Sequence, residues 1–129
     1  MLAYHRLSRD AEALHGELGL NAGGRSILMT VARLGPQTIS DLARLRDVSR
    51  QFMQRAIQVL LAAGYLAEVP NPRRRGSSLL SLTLAGEAAI ERMRRVEAPL
   101  WRALDRVISP DDLAATLRVL GQLREGPPA

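Results

Sequence analysis

The residues best suited to chemistry in this sequence lie between positions 48 and 66, where arginine and glutamine recur at helical spacing. If Ser49 caps a helix and each residue advances the chain by 100°, one continuous polar arc forms. That arc holds Arg50, Gln51, Gln54, Arg55 and Gln58. No aspartate or glutamate occurs from residue 48 to residue 67. A solvated helix face usually mixes both signs, whereas a face laid against phosphates excludes carboxylates, so the pattern predicts contact with nucleic acid.

The types of these side chains indicate the contacts that they would make. Arginine can pair with guanine, and glutamine with adenine, through two hydrogen bonds, and a good pair discriminates between bases by about 1–3 kcal/mol. The candidates for base contacts are Arg50, Gln51, Gln54 and Arg55. The alternative is a solvated face without a ligand. Three hydroxyl residues can donate to phosphate or serve only as caps or surface residues: Thr38, Ser40 and Ser49.

Three consecutive arginines, Arg73, Arg74 and Arg75, form a second basic site. They lie in the segment PNPRRRGSS, between strand-like runs at residues 65–69 and 79–83. Two strands around a loop rich in turn formers predict a β-hairpin with the arginines at its tip. Because no acid lies close to them in sequence, we expect them to clamp the DNA backbone or the minor groove.

Helical spacing of apolar residues predicts the elements that position these two sites. Helices are expected over residues 4–18, 27–34, 38–45, 49–63, 84–108 and 110–124, with Pro99 inside the fifth. Gly19 and Asn21 are interpreted as the stop of the first helix, and Gly64 as the stop of the fourth. Thr38 and Asp41 resemble a capping box. The order of four helices, a hairpin and two helices predicts a mainly α protein of the winged helix-turn-helix class.

Composition limits the other classes of function. The 129 residues fit one domain, and the net charge of +5 is compatible with DNA, RNA or an anionic membrane surface. The absence of cysteine excludes disulfides and thiol chemistry. No apolar run approaches the roughly 20 residues of a membrane span, and the first residues lack the apolar region of a signal peptide. We therefore expect a cytoplasmic protein without a membrane partner.

Catalysis has no support in the sequence. There is no glycine-rich phosphate loop, nucleophile motif or cluster of acids. The two histidines, His5 and His15, lie off helical register with each other and lack accompanying ligands. We expect no enzyme activity, no cofactor and no metal site.

From residue 20 to residue 84 the series of motifs resembles the MarR family of bacterial transcriptional regulators. The motifs in register are TISDLA from Thr38, VSRQ from Val48, LLAAGYL from Leu60, NP with the arginines, and SLTLAG from Ser81. The resemblance implies homodimers whose N- and C-terminal helices interlock, most of which repress transcription from a palindromic operator. Many are released by a small, often aromatic and anionic compound bound between the dimer helices and the DNA-binding lobe.

The hairpin departs from the family pattern at its acids. The family usually has Asp-Pro-x-Asp-x-Arg, in which the acids orient the arginine that follows. Here Asn71 and Arg74 stand at the two acidic positions, and the arginine position falls on Gly76 or, with a shift, on Arg75. We expect a more basic and less rigid wing that depends more strongly on phosphate contacts.

These observations combine into one expected architecture and function. The chain is expected to be a single domain over residues 1–129, with a winged lobe at 20–84 and dimerisation helices at 1–19 and 85–125. Its expected partners are double-stranded DNA, a second copy of itself, and a small aromatic or phenolic effector. The expected function is a sequence-specific regulator, with repression as the main interpretation. The alternative is a winged-helix interaction protein, or one that coats DNA without sequence choice and without an effector.

Overall fold

The computed structural model describes residues 5–6, 9–10, 12–13, 16 and 19–126. Residues 5–6, 9–10 and 12–13 are α-helical and residue 16 is in a 3-10 conformation; the other residues of the helix expected over 4–18 lie outside the described residues. The regular elements that follow are α1 (Ala22–Leu34), α2 (Ile39–Leu45), α3 (Arg50–Ala62), β1 (Leu66–Pro70), β2 (Ser78–Leu82), α4 (Leu84–Asp105) and α5 (Pro110–Glu125). This is the expected winged helix-turn-helix class. No helix among the described residues is long and apolar enough to cross a membrane.

The start of α1 differs from the sequence interpretation. Asn21 is the N-cap of α1 and not part of a preceding stop, because its side-chain oxygen accepts a hydrogen bond of 2.8 Å from the Gly24 amide. Helix α1 therefore includes Gly23 and Gly24, before the expected start at residue 27. Gly24 is buried where α1 packs against Leu60 of α3.

The two strands pair antiparallel, with Leu66 opposite Leu82 and Pro70 opposite Ser78. A third backbone segment joins them: Gln37 and Leu80 exchange amide-to-carbonyl hydrogen bonds of 3.1 and 2.8 Å. Since Gln37 lies in the linker between α1 and α2, this bridge ties the hairpin to the helix-turn-helix.

One apolar core joins α1, α2, α3, the hairpin and the first part of α4. Its largest fully buried side chains are Leu28, Leu42, Met53, Ile57, Leu60 and Leu80. Burying an aliphatic side chain of this size contributes about 1.5–3 kcal/mol. Gly64 ends α3 with a φ of 77°, as the sequence predicted.

The chain divides into two compact units, Met1–Val96 and Glu97–Ala129. In the second unit, Ser109 caps α5 by accepting from the Asp112 amide at 3.1 Å, with Pro110 in the first turn. None of the residues of α5 is buried, and its leucines are about half exposed or more. The long helix α4 ends at Asp105, three residues before its expected end, and continues through Pro99.

Helix α2 begins at a capping arrangement around Asp41. Thr38 Oγ1 accepts from the Asp41 amide at 3.0 Å and donates to Asp41 Oδ2 at 2.7 Å, and Arg44 pairs with Asp41 Oδ1 at 3.0 Å. The hydrogen bond from Thr38, followed by the charge of Arg44, lowers the pKa of Asp41 despite the opposing effect of partial burial. The ionised carboxylate is therefore part of the cap.

We expect Gly24→Ala to raise the free energy of unfolding by about 0.5–1 kcal/mol, because alanine favours the helix more than glycine. A Cβ at Gly24 would lie 3.4 Å from Leu60 Cδ2, an ordinary contact. The matched change Gly64→Ala should instead lower stability by about 1–2 kcal/mol, because the φ of 77° strains any side chain. Urea denaturation, monitored by circular dichroism, measures the free energy of unfolding of both variants. Equal effects of the two changes would contradict the placement of α1 on α3.

A second expectation concerns acid stability. Because the folded pKa of Asp41 lies below its ordinary value of about 3.9, the unfolded chain takes up this proton first as the pH falls. The cap's contribution is thus complete above that ordinary value and is lost as the pH falls through the lowered one. Asp41→Asn should flatten this part of the curve of unfolding free energy against pH, measured by denaturant titration. Parallel curves for the two proteins would show that the carboxylate does not stabilise the fold.

Candidate nucleic-acid interface

Helix α3 turns its apolar side into the core and its polar side outward. Met53, Ile57 and Leu60 are at most 1% exposed. The four predicted base-contact residues and the N-cap are all exposed: Ser49, Arg50, Gln51, Gln54 and Arg55. The burial of one side therefore presents the whole acid-free arc to a partner.

The start of α3 differs in charge from the starts of α2 and α5. Helices α2 and α5 have acids in their first turns, whereas α3 has none and begins with Arg50. A cation near the positive end of a helix dipole costs a few tenths of a kcal/mol to about 1 kcal/mol. Ser49 caps the helix by accepting from the Phe52 amide at 3.1 Å. The positive potential at the start of α3 therefore slightly destabilises the helix and favours the binding of an anion.

A polar groove of about 360 Å³ lies between the start of α2, the start of α3 and the hairpin. It brings together five of the predicted residues from three separate parts of the sequence: Thr38, Ser40, Arg50, Arg74 and Arg75. Three guanidinium groups on one groove make a strongly cationic surface, and guanidinium is well suited to bind phosphate.

The hydroxyl of Thr38 already has partners inside the protein. Its hydrogen is donated to Asp41 Oδ2, and its oxygen accepts from the Asp41 amide. Thr38 is thus a cap residue at the edge of the groove, and a phosphate contact would require it to exchange the bond to Asp41. Ser40 is exposed in the same groove.

The hairpin tip is a turn built by Asn71. Its side-chain oxygen accepts from the Arg73 amide at 3.0 Å, and its carbonyl accepts from the Arg74 amide at 3.3 Å. Asn71 thus retains a turn-forming role at a position where the resemblance led us to expect aspartate. Gly76 has a φ of 75°, which completes the turn and places Arg75 before it.

The three wing arginines do not share one surface. Arg74 and Arg75 line the groove beside Arg50, whereas Arg73 lines a different groove with Asp41, Asn71 and Gln37. The second groove has one arginine and one aspartate, whereas the first has three arginines and one glutamate, so the potential of the second groove is less positive. The sequence showed three equivalent arginines, and the fold separates two of them from the third.

The structure also adds residues that the sequence interpretation missed. Glu68, on β1, brings a carboxylate into the groove beside Arg50 and Arg74. Behind α3 lies an apolar cavity of about 220 Å³, lined by residues that include Leu20, Phe52 and Val59, with Arg46 as its charged group. Arg46 NH1 donates to Ser26 Oγ at 2.6 Å. The available signal for Glu68 was its position as the first acid after the acid-free stretch.

Comparisons with known proteins agree with this geometry. A family model described as the MarR family matches residues 18–75. Among solved structures, a MarR family transcription regulator is 24% identical with a TM-score of 0.81, over 95% of this chain and 82% of that one. An E. coli MarR variant complexed with operator DNA is 20% identical with a TM-score of 0.76, over 97% and 91% of the two chains.

A third structure, Staphylococcus aureus MarR in complex with salicylate and kanamycin, is 19% identical with a TM-score of 0.81. The match covers 96% of this chain and 84% of that one. No curated protein sequence matches significantly. The solved structures show the same fold, and the MarR family model matches residues 18–75, which contain α1, α2, α3 and β1.

Proposed function

We propose that this protein is a homodimeric transcriptional regulator that binds a palindromic operator and represses transcription in the cytoplasm. The observation that carries the proposal is the shared groove of Arg50 with Arg74 and Arg75 beside the acid-free face of α3. The exposed start of a second helix in a helix-turn-helix is where such proteins contact base edges. The complex of the E. coli MarR variant with operator DNA supports the same use of this fold.

Within this proposal the two basic sites have different tasks. Arg50, Gln51, Gln54 and Arg55 read base edges in the major groove, while Arg73, Arg74, Arg75, Ser40, Ser49 and Thr38 contact the backbone or the minor groove. Base contacts give sequence discrimination, and phosphate contacts give affinity that depends on salt. Arg74 and Arg75 contribute more than Arg73, because Arg50 adds to the positive charge of their groove, whereas Asp41 balances the charge of Arg73 in the other.

The homodimer is supported by the apolar surface of the second unit. Leu113, Leu117, Leu120 and Leu123 recur at spacings of three and four along α5 and are 51–73% exposed. Such a stripe is typical of a helix that packs against another. A second copy would cover it and would supply the second recognition helix that a palindrome requires.

The proposed effector is a small aromatic or phenolic anion. The cavity behind α3 supports this because it combines apolar walls with the guanidinium of Arg46, and the S. aureus MarR complex contains salicylate. A ligand there would contact α1 and α3 together and so favour one arrangement of α3 over another.

The proposal predicts preference for the DNA upstream of the protein's own gene. At physiological salt, the affinity for the selected site should exceed that for random duplex by about 10³ or more. Arg50→Ala should reduce this ratio, because it removes a base contact worth about 1–3 kcal/mol. Footprinting with and without salicylate locates the selected site. Fluorescence anisotropy then measures the affinity for that site and for random duplex.

The matched control is Arg74→Ala, which removes a proposed phosphate contact. It should weaken binding to both duplexes alike and reduce the slope of log affinity against log salt by about 1. Equal affinity of the wild type for both duplexes would reject sequence-specific regulation and favour a protein that coats DNA.

The dimer proposal predicts a particle of about twice the chain mass of 14.1 kDa in light scattering. Leu117→Arg should weaken the dimer at least about tenfold, because it places a charge where about 1.5–3 kcal/mol of apolar burial is expected. Leu84→Arg is the control, since Leu84 is 85% exposed at the start of α4, outside the proposed interface. A monomeric wild type, or equal effects of both changes, would contradict the assignment of α5.

A further inference from the structure

The end of α3 and the start of α4 meet at four residues, Gly64, Tyr65, Thr83 and Gly86, which we call the cap junction. On the α3 side, the Gly64 amide donates to the Leu61 carbonyl and the Tyr65 amide to the Leu60 carbonyl, both at 3.0 Å. With the positive φ of Gly64, these bonds form a Schellman end. The last carbonyl groups of α3 are thereby held in a defined direction.

Thr83 joins that end to α4 through one hydroxyl group. Thr83 Oγ1 donates to the Gly64 carbonyl at 2.5 Å and accepts from the Gly86 amide, in the first turn of α4, at 3.0 Å. The Thr83 amide also donates to the Tyr65 carbonyl at 3.2 Å. The same side chain therefore caps α4 and binds the residue that ends α3.

Gly86 sets how closely the two helix ends approach. A Cβ built on Gly86 would lie 2.2 Å from the Tyr65 carbonyl oxygen and 3.0 Å from Leu82 Cδ2. The first obstacle is backbone, which cannot rotate away as a long side chain could. Any larger residue must move α4 away from the end of α3.

We propose that the cap junction positions the recognition helix: Thr83 and Gly86 fix the direction of α3 relative to α4 and so set the half-site spacing that the dimer accepts. The inference rests on the proposed function, because half-site spacing has meaning only for a dimer on DNA. Thr83 and Gly86 are positioning residues, since they act through α3 and neither lines the groove beside Arg50.

The geometry separates this role from simple stabilisation of the fold. The hairpin is tied to the helix-turn-helix by the Gln37–Leu80 bridge, and α3 is held by its buried apolar side. Neither contact depends on the Thr83 hydroxyl, and the part of α4 that enters the core, at Ile90 and Met93, lies beyond the cap junction. Loss of the Thr83 bonds should therefore leave a folded winged lobe whose α3 has a wider range of directions relative to α4.

The test compares Thr83→Val, Thr83→Ser and Gly86→Ala with the wild type on duplexes in which two identical half-sites are separated by different numbers of base pairs. The wild type should prefer one spacing. Thr83→Val removes both hydroxyl bonds and should reduce the preference over spacings one base pair shorter or longer by about tenfold, while affinity for a single half-site is retained. Thr83→Ser keeps the hydroxyl and should restore the preference, and Gly86→Ala should shift the preferred spacing.

Ala88→Gly is the matched control for helix destabilisation. Ala88 is exposed two residues beyond Gly86, so this change weakens α4 without touching the cap junction. It should lower thermal stability and keep the wild-type order of spacings. If Thr83→Val keeps that order as well, the inference is wrong even though the proposed function stands. If the wild type itself prefers no spacing, the proposed function and this inference fail together.

A readout that needs no DNA separates these cases further. The chain contains no cysteine, so Gln58→Cys places a single spin label on the exposed face of α3. In the dimer, double electron–electron resonance should give a narrow distribution of distances between the two spin labels in the wild-type background. With Thr83→Val the distribution should be broader. Thr83→Ser should restore the narrow distribution, and equal widths for Thr83→Val and wild type would overturn the inference. Should Gly86→Ala fail to fold, the threonine pair still decides.

Discussion

The structure of the winged lobe depends on the burial of one side of α3. Met53, Ile57 and Leu60 occupy the centre of the core, in contact with α1, α2 and the hairpin. Rotation of α3 about its axis would expose these side chains and bury arginine, at a cost of several kcal/mol. The outward direction of Arg50, Gln51, Gln54 and Arg55 therefore follows from apolar packing, and no polar contact within the protein is required to present them.

Much of the fold could be predicted because its signals are local. The caps at Thr38 and Ser49, the stop at Gly64 and the strand-like runs on either side of the hairpin are each set by neighbouring residues. Asn21 was misinterpreted because a residue between two helices can end one or begin the next. In the structure its side chain accepts a hydrogen bond from the Gly24 amide, so it begins α1. Gly24 lay outside the helix expected over residues 27–34, because the packing of Gly24 against Leu60 joins residues that are distant in sequence.

The candidate interface was predicted less completely for the same reason. The polar arc of α3 follows from helical periodicity, which one segment contains in full. The division of the wing arginines does not, because it depends on which side of the hairpin faces α2 and which faces α3. Glu68 and Arg46 were missed because each gains its surroundings only when the lobe packs. The joint action of Thr83 with Gly64 similarly spans 19 residues.

The Gln37–Leu80 bridge has a consequence for how this protein can change. It holds the middle of β2 through backbone atoms, while the side chain of Leu80 is buried in the core. The tip between Asn71 and Ser77 lies beyond the paired strands. New residues can therefore be inserted or exchanged at the tip without altering the core. The tip is therefore a suitable place to graft a different DNA preference while leaving the rest of the lobe intact.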